Sequence, residues 1–424
     1  MSELGQKKSQ ENRQNIILSH VGIQHSHRIV FALQKSARLR CFFTSYYYKN
    51  DFISKIVQKV KPSLHKSLLA VRSFPGLDDS KIRIFPIFDI LKVMTWKVLG
   101  LTQFAISFVR KFDAYYDKLL ALFYVPKNPC VWISYVNCSL YSFRAVKKRG
   151  GIAILDMPTL HHRSIKKILE DEKALVPEFA ASLTDVFIPE LYARLEAEFD
   201  EATYITVPSD FVKHSLVENG ISPDKIVKIP YGTHLEPINP ASIKPYITGS
   251  TLELVFVGQI QQKKGIKYIL EAVKNLRESG VNVRLRLVGK VFDCAEALEY
   301  YSGHYELVPF MPREQLRELF LNTHILVSPS LIEGSSLTIM EAMAVGLLPI
   351  VSEHCGAEAV KTGENGYLVP IRSSAIFEAH IANLIQNPAK MAAMRAAAVT
   401  TIQNEFRWEN YYTRWQNFVD SLPL

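Results

Sequence analysis

The chain reads as an α/β protein of two doubly wound, Rossmann-like domains with a cleft between them. Three observations carry this. Its 424 residues exceed what one compact domain normally holds, so two domains are the natural division. Short apolar runs alternate with helical patterns along most of the chain, as in a parallel sheet covered by helices. A stretch rich in Pro, Ser, Asn and Gly at 237–250 lacks periodicity, separates two such cycles and reads as the linker. The expected domains are residues 1–240 and 251–405.

The first cycle opens at 15–21, NIILSHV, an apolar run ending at Gly22. A helical pattern follows from about residue 24 to 35, and 38–46 reads as the next strand. Residues 52–125 are largely helical, basic and aromatic. Strands are expected at 131–135 and 151–156, a helix with many acidic positions over 164–202, and a strand at 204–207. Ser209 suits the N-cap of the next helix, and the Ser222-Pro223-Asp224 turn leads to a strand at 226–229. The second cycle predicts strands at 252–257, 283–288, 306–308, 325–328 and 348–351. Helices are expected at 266–278, 314–322 and 337–345, and the tail, 389–424, is helical with Trp408 and Trp415 on one face.

With 48% hydrophobic and 21% charged residues, the composition excludes general disorder. Five Cys without a CxxC pair exclude a disulfide scaffold and a Cys-type zinc site, and suggest a reducing compartment. The net charge of +9 is unevenly spread. Residues 1–150 hold 25 Lys and Arg against 8 Asp and Glu, a net +17, whereas residues 151–424 hold 25 against 33, a net −8. A basic half points to an anionic partner: nucleic acid, an anionic membrane surface, or an acidic glycan or lipid phosphate. No nucleic-acid recognition pattern accompanies the charge, so nucleic acid ranks last. The polar start of the chain does not read as a signal peptide. No charge-free apolar run reaches the ~20 residues of a spanning helix. Basic residues beside Trp96, Phe104 and Phe108 describe either a helix on a membrane surface or a core-facing helix with a solvated basic face. The expected location is cytoplasmic, with the inner face of a membrane as an option.

The chemistry gathers in the second half. SPSLIEGSS at 328–336 lies between a strand and a helix, where free backbone N–H groups and the helix dipole favour phosphate. Glu333 would repel phosphate, so it should face a neutral, hydroxyl-bearing part of the ligand. Glu341 follows eight residues later, ~80° around if both were helical, and could accept from a second hydroxyl pair such as a ribose. Upstream, Gly258 ends a strand and would let backbone approach a diphosphate, and Lys264 could act on it as a point charge. A diphosphate with hydroxyls at both ends is a nucleotide sugar.

These residues resemble a known family. Glu333 and Glu341, within SPSLIEGSSLTIMEAMAVGLLPIV, match the Glu-x7-Glu motif of retaining glycosyltransferases of family four, which have the GT-B fold. FVGQIQQKKGIKYILEAV, ENGYLVP at 364–370, DMPTLHHRS at 156–164 and residues 208–232 are similar too, so the resemblance covers roughly residues 15–420. It implies a metal-independent hexosyltransferase-like enzyme without a cofactor, with a nucleotide sugar as co-substrate and a glycan or lipid-linked acceptor, in polysaccharide or glycoconjugate biosynthesis. By this resemblance Glu333 contacts the donor sugar and Glu341 the ribose. Backbone around Ser336, Leu337 and Thr338, with Lys264 and Gly258, holds the diphosphate. His161 matches a histidine near the reacting sugar, Gly22 borders the acceptor, and residues 406–424 pack back on the first domain.

There are departures. Gln259 stands where the family usually has Arg, and Thr233-His234 replace part of a common Pro-x-Gly-x-Asp stretch. A non-catalytic module that binds a nucleotide sugar or a partner is the alternative, and Gln259 is its support. There is no Asp-x-Asp, so a metal on the diphosphate is not implied. His20, His25 and His27 fit no standard metal spacing. Asp78-Asp79 and Glu170-Asp171-Glu172 read as solvated faces, and Cys130 and Cys138 as small core residues.

Overall fold

The computed structural model describes residues 15–22, 25–49, 55, 58–59, 73–100, 103–184 and 188–423. The polar start of the chain, the beginning of the first helical pattern, most of 50–72 and the Phe104 side chain lie outside the described residues.

The first lobe is a seven-stranded parallel sheet of β1 (Ile16–His20), β2 (Leu39–Thr44), β3 (Ile82–Ile84), β4 (Val131–Tyr135), β5 (Ile152–Asp156), β6 (Tyr204–Val207) and β7 (Ile226–Lys228). The second is a six-stranded parallel sheet of β8 (Leu252–Val257), β9 (Val283–Val288), β10 (Glu306–Val308), β11 (Ile325–Ser328), β12 (Leu348–Ser352) and β13 (Tyr367–Val369). Every residue of β1, β4, β5 and β12 is buried, because helices cover both faces of a parallel sheet. That is why these strands are continuous apolar runs rather than alternating ones.

Strand order is β3-β2-β1-β4-β5-β6-β7 and β10-β9-β8-β11-β12-β13. In each sheet the order reverses after the first strand, between β1 and β4 and between β8 and β11. Such reversals open a crevice at the carboxyl ends of the strands, where doubly wound proteins bind ligands. The helices of the first lobe are α1 (Ser26–Lys35), α2 (Pro86–Leu99), α3 (Gln103–Phe123), α4 (Leu140–Lys148), α5 (His162–Leu175), α6 (Pro189–Glu201) and α7 (Asp210–Glu218). The second lobe has α8 (Ile266–Glu278), α9 (Ala295–Glu299), α10 (Arg313–Leu321), α11 (Leu337–Ala344), α12 (Ser374–Gln386) and α13 (Pro388–Glu405).

The last helix, α14 (Trp408–Asp420), lies against α1 of the first lobe. Arg28 donates to the Tyr412 hydroxyl at 2.6 Å, Arg38 pairs with Asp420 at 3.0 Å, and Trp415 is fully buried. Residues 237–250 do not hang free: the Ile238 N–H donates to Ala344 O at 3.0 Å, and buried Arg395 donates to Lys244 O at 2.8 Å. The linker therefore packs on the second lobe.

The acidic stretch expected over 164–202 is not one helix. It breaks into α5, a 3-10 turn (Pro177–Ser182) and α6, and Pro177 and Pro189 each open the next element, since proline cannot continue a helix. The reading of Glu172 as a solvated face is also corrected, because Glu172 is fully buried. Its carboxylate accepts from three donors of the other lobe: Gln262 Nε2 at 2.7 Å, the Tyr268 hydroxyl at 2.7 Å and Arg372 Nε at 2.6 Å. Nearby, the Gln262 N–H donates to Ser182 Oγ at 3.0 Å, and Ser209 Oγ donates to Gly334 O at 2.6 Å.

Two predictions follow from this packing. Glu172→Ala leaves the Arg372 guanidinium without its carboxylate and should cost about 3 kcal/mol. Small-angle scattering should then give a larger radius of gyration and melting should start earlier; unchanged values of both would show that the seam is held by other contacts. The second concerns pH. Burial pushes eight histidines down, His20, His161 and His234 to about 3, His25, His162 and His324 to about 4, and His354 and His380 also below the ordinary value. Each is protonated first in the unfolded chain, so each removes stability as pH falls from the ordinary histidine value toward its folded one. Burial acts oppositely on Asp156 and Glu198, raised to about 6 and about 7, which favour the folded state as pH falls. The histidines outnumber these carboxyls, so the melting midpoint should drop from about pH 7 to about pH 5; a rise would contradict the buried neutral histidines.

Candidate active site

In the second lobe the reversal between β8 and β11 gathers two loops. A 3-10 turn (Gln262–Lys264) ends at Gly265, which has φ +66° and starts α8. A Cβ there would lie 2.0 Å from Pro329 O, so only glycine lets this turn press against the loop after β11. The result is direct contact between the Lys264 ammonium and the Glu333 carboxylate, with Ser330 Oγ 3.5 Å from the same oxygen. Both side chains are partly exposed.

Glu333 is not helical. It sits in the loop before α11, its N–H bonded to His354 O at 3.1 Å, so the ~80° helical relation to Glu341 does not hold. The next residue, Gly334, meets the first lobe: a Cβ would lie 1.9 Å from Pro158 O. Glu333 therefore stands beside the place where the lobes touch. Glu341, within α11, is almost fully buried, and Arg313 Nε lies 3.2 Å from its carboxylate. Burial raises its pKa and Arg313 opposes the rise. Arg313 starts α10 and no sequence pattern marked it.

The backbone donors are divided. The Ser336 N–H is already bonded to Cys355 O at 3.2 Å, and the Gly258 N–H to Val288 O at 3.0 Å. Leu337 and Thr338 begin α11, where N–H groups have no intrahelical partner and the Ser336 side chain does not cap them. Gln259 is exposed and accepts from Gln261 Nε2 at 2.7 Å.

In the first lobe the ends of β1 and β4 border a cavity of about 820 Å³. His20, Gly22, Trp96, Asn137 and His162 line it, and Lys263 reaches it from the second lobe. His20 is buried and stacks on Tyr135 at 3.9 Å between centroids, yet neither ring nitrogen has a hydrogen-bond partner. Burial, then Lys92, pushes its pKa to about 3, so it stays neutral. The Asn137 Oδ1 is likewise unpartnered, although its N–H donates to Glu198 Oε2 at 2.7 Å. At Gly22 a Cβ would come within 2.9 Å of His20 Nε2. His20 and Asn137 escaped notice as site residues; the only signal was the place of His20 immediately ahead of the Gly22 loop.

His161 is turned away from this cavity. Its ring is fully buried between His162 at 4.4 Å and Phe199 at 5.2 Å, and its Nδ1 accepts the Arg163 N–H at 3.2 Å, capping α5. Burial lowers its pKa to about 3. The two histidine Nε2 atoms lie 3.6 and 3.3 Å from Glu196 Oε1, and Arg163 lies 2.7 Å from that same oxygen. Among the described residues this is the one cluster of His and carboxylate groups close enough to hold a metal ion, and the Arg163 guanidinium already engages its carboxylate.

The lobes, the cleft and the paired charges can be set beside known proteins. Residues 244–400 match the family described as Glycosyl transferases group 1. Over 187 residues the chain is 28% identical to the putative colanic acid biosynthesis glycosyltransferase WcaL of Salmonella typhimurium, 41% of this chain and 45% of that one. Over 254 residues it is 30% identical to the D-inositol 3-phosphate glycosyltransferase of Kribbella flavida, 54% of this chain and 59% of that one. The chain spans about half the length of the curated relatives it matches. Among solved structures it is similar to Anabaena HepE in complex with UDP, with TM-score 0.60, 14% identity, and coverage of 96% of this chain and 99% of that one. The likeness to the glycosyl transferases group 1 is thus carried by the second lobe, and the chain as a whole has the two-domain GT-B fold.

Proposed function

We propose that the protein is a retaining glycosyltransferase that moves a sugar from a nucleotide-sugar donor to a glycan or lipid-linked acceptor. The observation that carries this reading is the meeting of Lys264 and Glu333 at the β8/β11 reversal, beside the start of α11 and against the first lobe. Before donor arrives, the ammonium and carboxylate satisfy each other. With donor in the cleft, Lys264 and the first N–H groups of α11 hold the diphosphate, and Glu333 accepts from the sugar hydroxyls. Glu341, oriented by Arg313, takes the ribose.

When the bond from the sugar to the diphosphate breaks, the leaving group gains negative charge. Lys264 and the α11 N-terminus are fixed donors aimed at that charge, so they stabilise it without reorganising. Gly258 contributes shape rather than a hydrogen bond, since its N–H is bonded within the sheet. The first-lobe cavity takes the acceptor, with Gly22 at its border and the unpartnered His20 and Asn137 atoms facing its hydroxyls. His161 acts through position: it caps α5 and backs His162, whose ring reaches the cavity. Relatives named for colanic acid and amylovoran biosynthesis support a role in polysaccharide assembly. No described helix is long and apolar enough to cross a membrane, and we place the enzyme in the cytoplasm, at the inner membrane face when its acceptor is lipid-linked.

The exposed Gln259 favours one other reading, a protein that binds nucleotide sugar without turnover. Incubation with a panel of nucleotide sugars separates the two, because only an enzyme releases nucleoside diphosphate. Glu333→Gln and Lys264→Ala should each lower that release by about 10²–10³-fold while melting stays near wild type. Full activity in both variants would refute the site assignment. Glu341→Ala should raise the donor KM about tenfold and leave kcat nearly unchanged, since the ribose contact is made equally before and during transfer. A loss in kcat alone would contradict a ribose role.

A further inference from the structure

The α2–α3 hairpin has two unlike faces. Its inner face builds the first lobe and the cleft. Phe88, Val109, Tyr116 and Leu120 are buried, and Trp96, Ile106 and Arg110 line the cavity. Its outer face is apolar in a regular way. On α2, Ile87, Ile90, Met94 and Val98 follow at spacings of three, four and four, which puts them on one side of the helix. All are exposed, Met94 at 57% and Val98 at 78%. On α3, Phe108, Lys111, Tyr115, Lys118 and Leu122 follow at three, four, three and four, again one stripe, with Leu122 64% exposed. A folded protein in water rarely leaves so many large apolar side chains together on the outside.

The charges on this hairpin are sorted as well. Its three carboxylates, Asp89, Asp113 and Asp117, all turn inward. Asp89 accepts from Ser45 Oγ at 3.0 Å, Asp113 pairs with Lys92, and Asp117 takes Arg194 at 2.8 Å. Lys97, Lys111 and Lys118 are exposed on the outside, among the apolar side chains. The outer face thus combines aliphatic and aromatic groups with lysines that make no ion pair among the described residues, and it sits in the half of the chain that carries +17. Apolar groups suit acyl chains and glycerol backbones, and lysines suit anionic headgroups.

We propose that this outer face docks on an anionic lipid bilayer and thereby selects a lipid-linked acceptor. The proposal rests on the glycosyltransferase reading and narrows its acceptor class. The same two helices that would touch the bilayer wall the cavity on their other side, where Trp96, Ile106 and Val109 give it apolar lining, and Val21 and Leu195 add to that lining from neighbouring elements. An acceptor sugar can therefore enter the cleft while its lipid chains stay in the membrane.

The test uses the full chain with phosphatidylcholine vesicles, with and without about one-third phosphatidylglycerol. Flotation should carry the protein with the anionic vesicles and much less with the neutral ones, and high salt should weaken the binding. Met94→Asp with Val98→Asp, and separately Lys111→Glu with Lys118→Glu, should each reduce vesicle binding about tenfold or more. Release of nucleoside diphosphate from a soluble donor without vesicles should stay at the wild-type rate in both, because these residues lie outside the cleft. That arm separates this proposal from the reading beneath it: no release by the wild type while it still binds anionic vesicles would count against the enzyme, not the surface. Equal binding to both vesicle types, or unchanged binding by both variants, would overturn the proposal. So would a wild-type dimer in light scattering that the aspartate variant abolishes, since the face would then belong to a second copy.

Discussion

One buried carboxylate draws together three donors across the seam between the lobes. Glu172 lies on a helix of the first lobe, and its hydrogen-bond donors Gln262, Tyr268 and Arg372 come from the second. A carboxylate out of water is strongly unfavourable without donors, so this group is compatible only with the lobes together or with solvent admitted between them. The same 3-10 turn that carries Gln262 ends with Lys264. Fastening the lobes therefore also positions the ammonium. Elsewhere along the seam, Gly334 rests on Pro158 and its carbonyl accepts from Ser209, which fixes the loop that presents Glu333. The proposed donor site is a consequence of closure as much as of local sequence.

Much of the frame was legible because parallel strands covered on both faces must be short, continuous and apolar. NIILSHV and the run at 131–135 could be little else. What escaped has physical causes. β3 lies inside the stretch at 52–125 whose basic and aromatic residues read as helical, and β13 is a three-residue strand with an exposed residue at its centre. The break after Leu175 was signalled by Pro177 and Pro189, and periodicity masked it. Glu172 looked solvated because it lies in a run of acids. Only the other lobe removes it from water, and no local rule reports on that. Arg313 was invisible for the same reason, since its partner Glu341 is on a distant helix.

The site was legible in kind more than in detail. Glycine beside a strand end, lysine at a helix start and a Ser-rich loop announced an anion-binding crevice, and the structure brings Lys264 to Glu333. The sequence could not show that the Ser336 and Gly258 N–H groups would be taken by Cys355 and Val288. Nor could it show that His161 would cap a helix from inside while its neighbour His162 faced the cavity. Adjacent residues at a helix start point in different directions, and the choice depends on what lies beneath. Here Phe199 and the α6 helix supply that floor.

The most direct measurement is a crystal structure of the protein soaked with UDP, and in parallel with GDP. The expected density places the diphosphate within hydrogen-bond reach of Lys264 Nζ and the first N–H groups of α11, with the ribose hydroxyls on the Glu341 carboxylate. A nucleotide bound away from the β8/β11 reversal, or a Lys264 that stays on Glu333 out of reach of either phosphate, would contradict the proposed donor site.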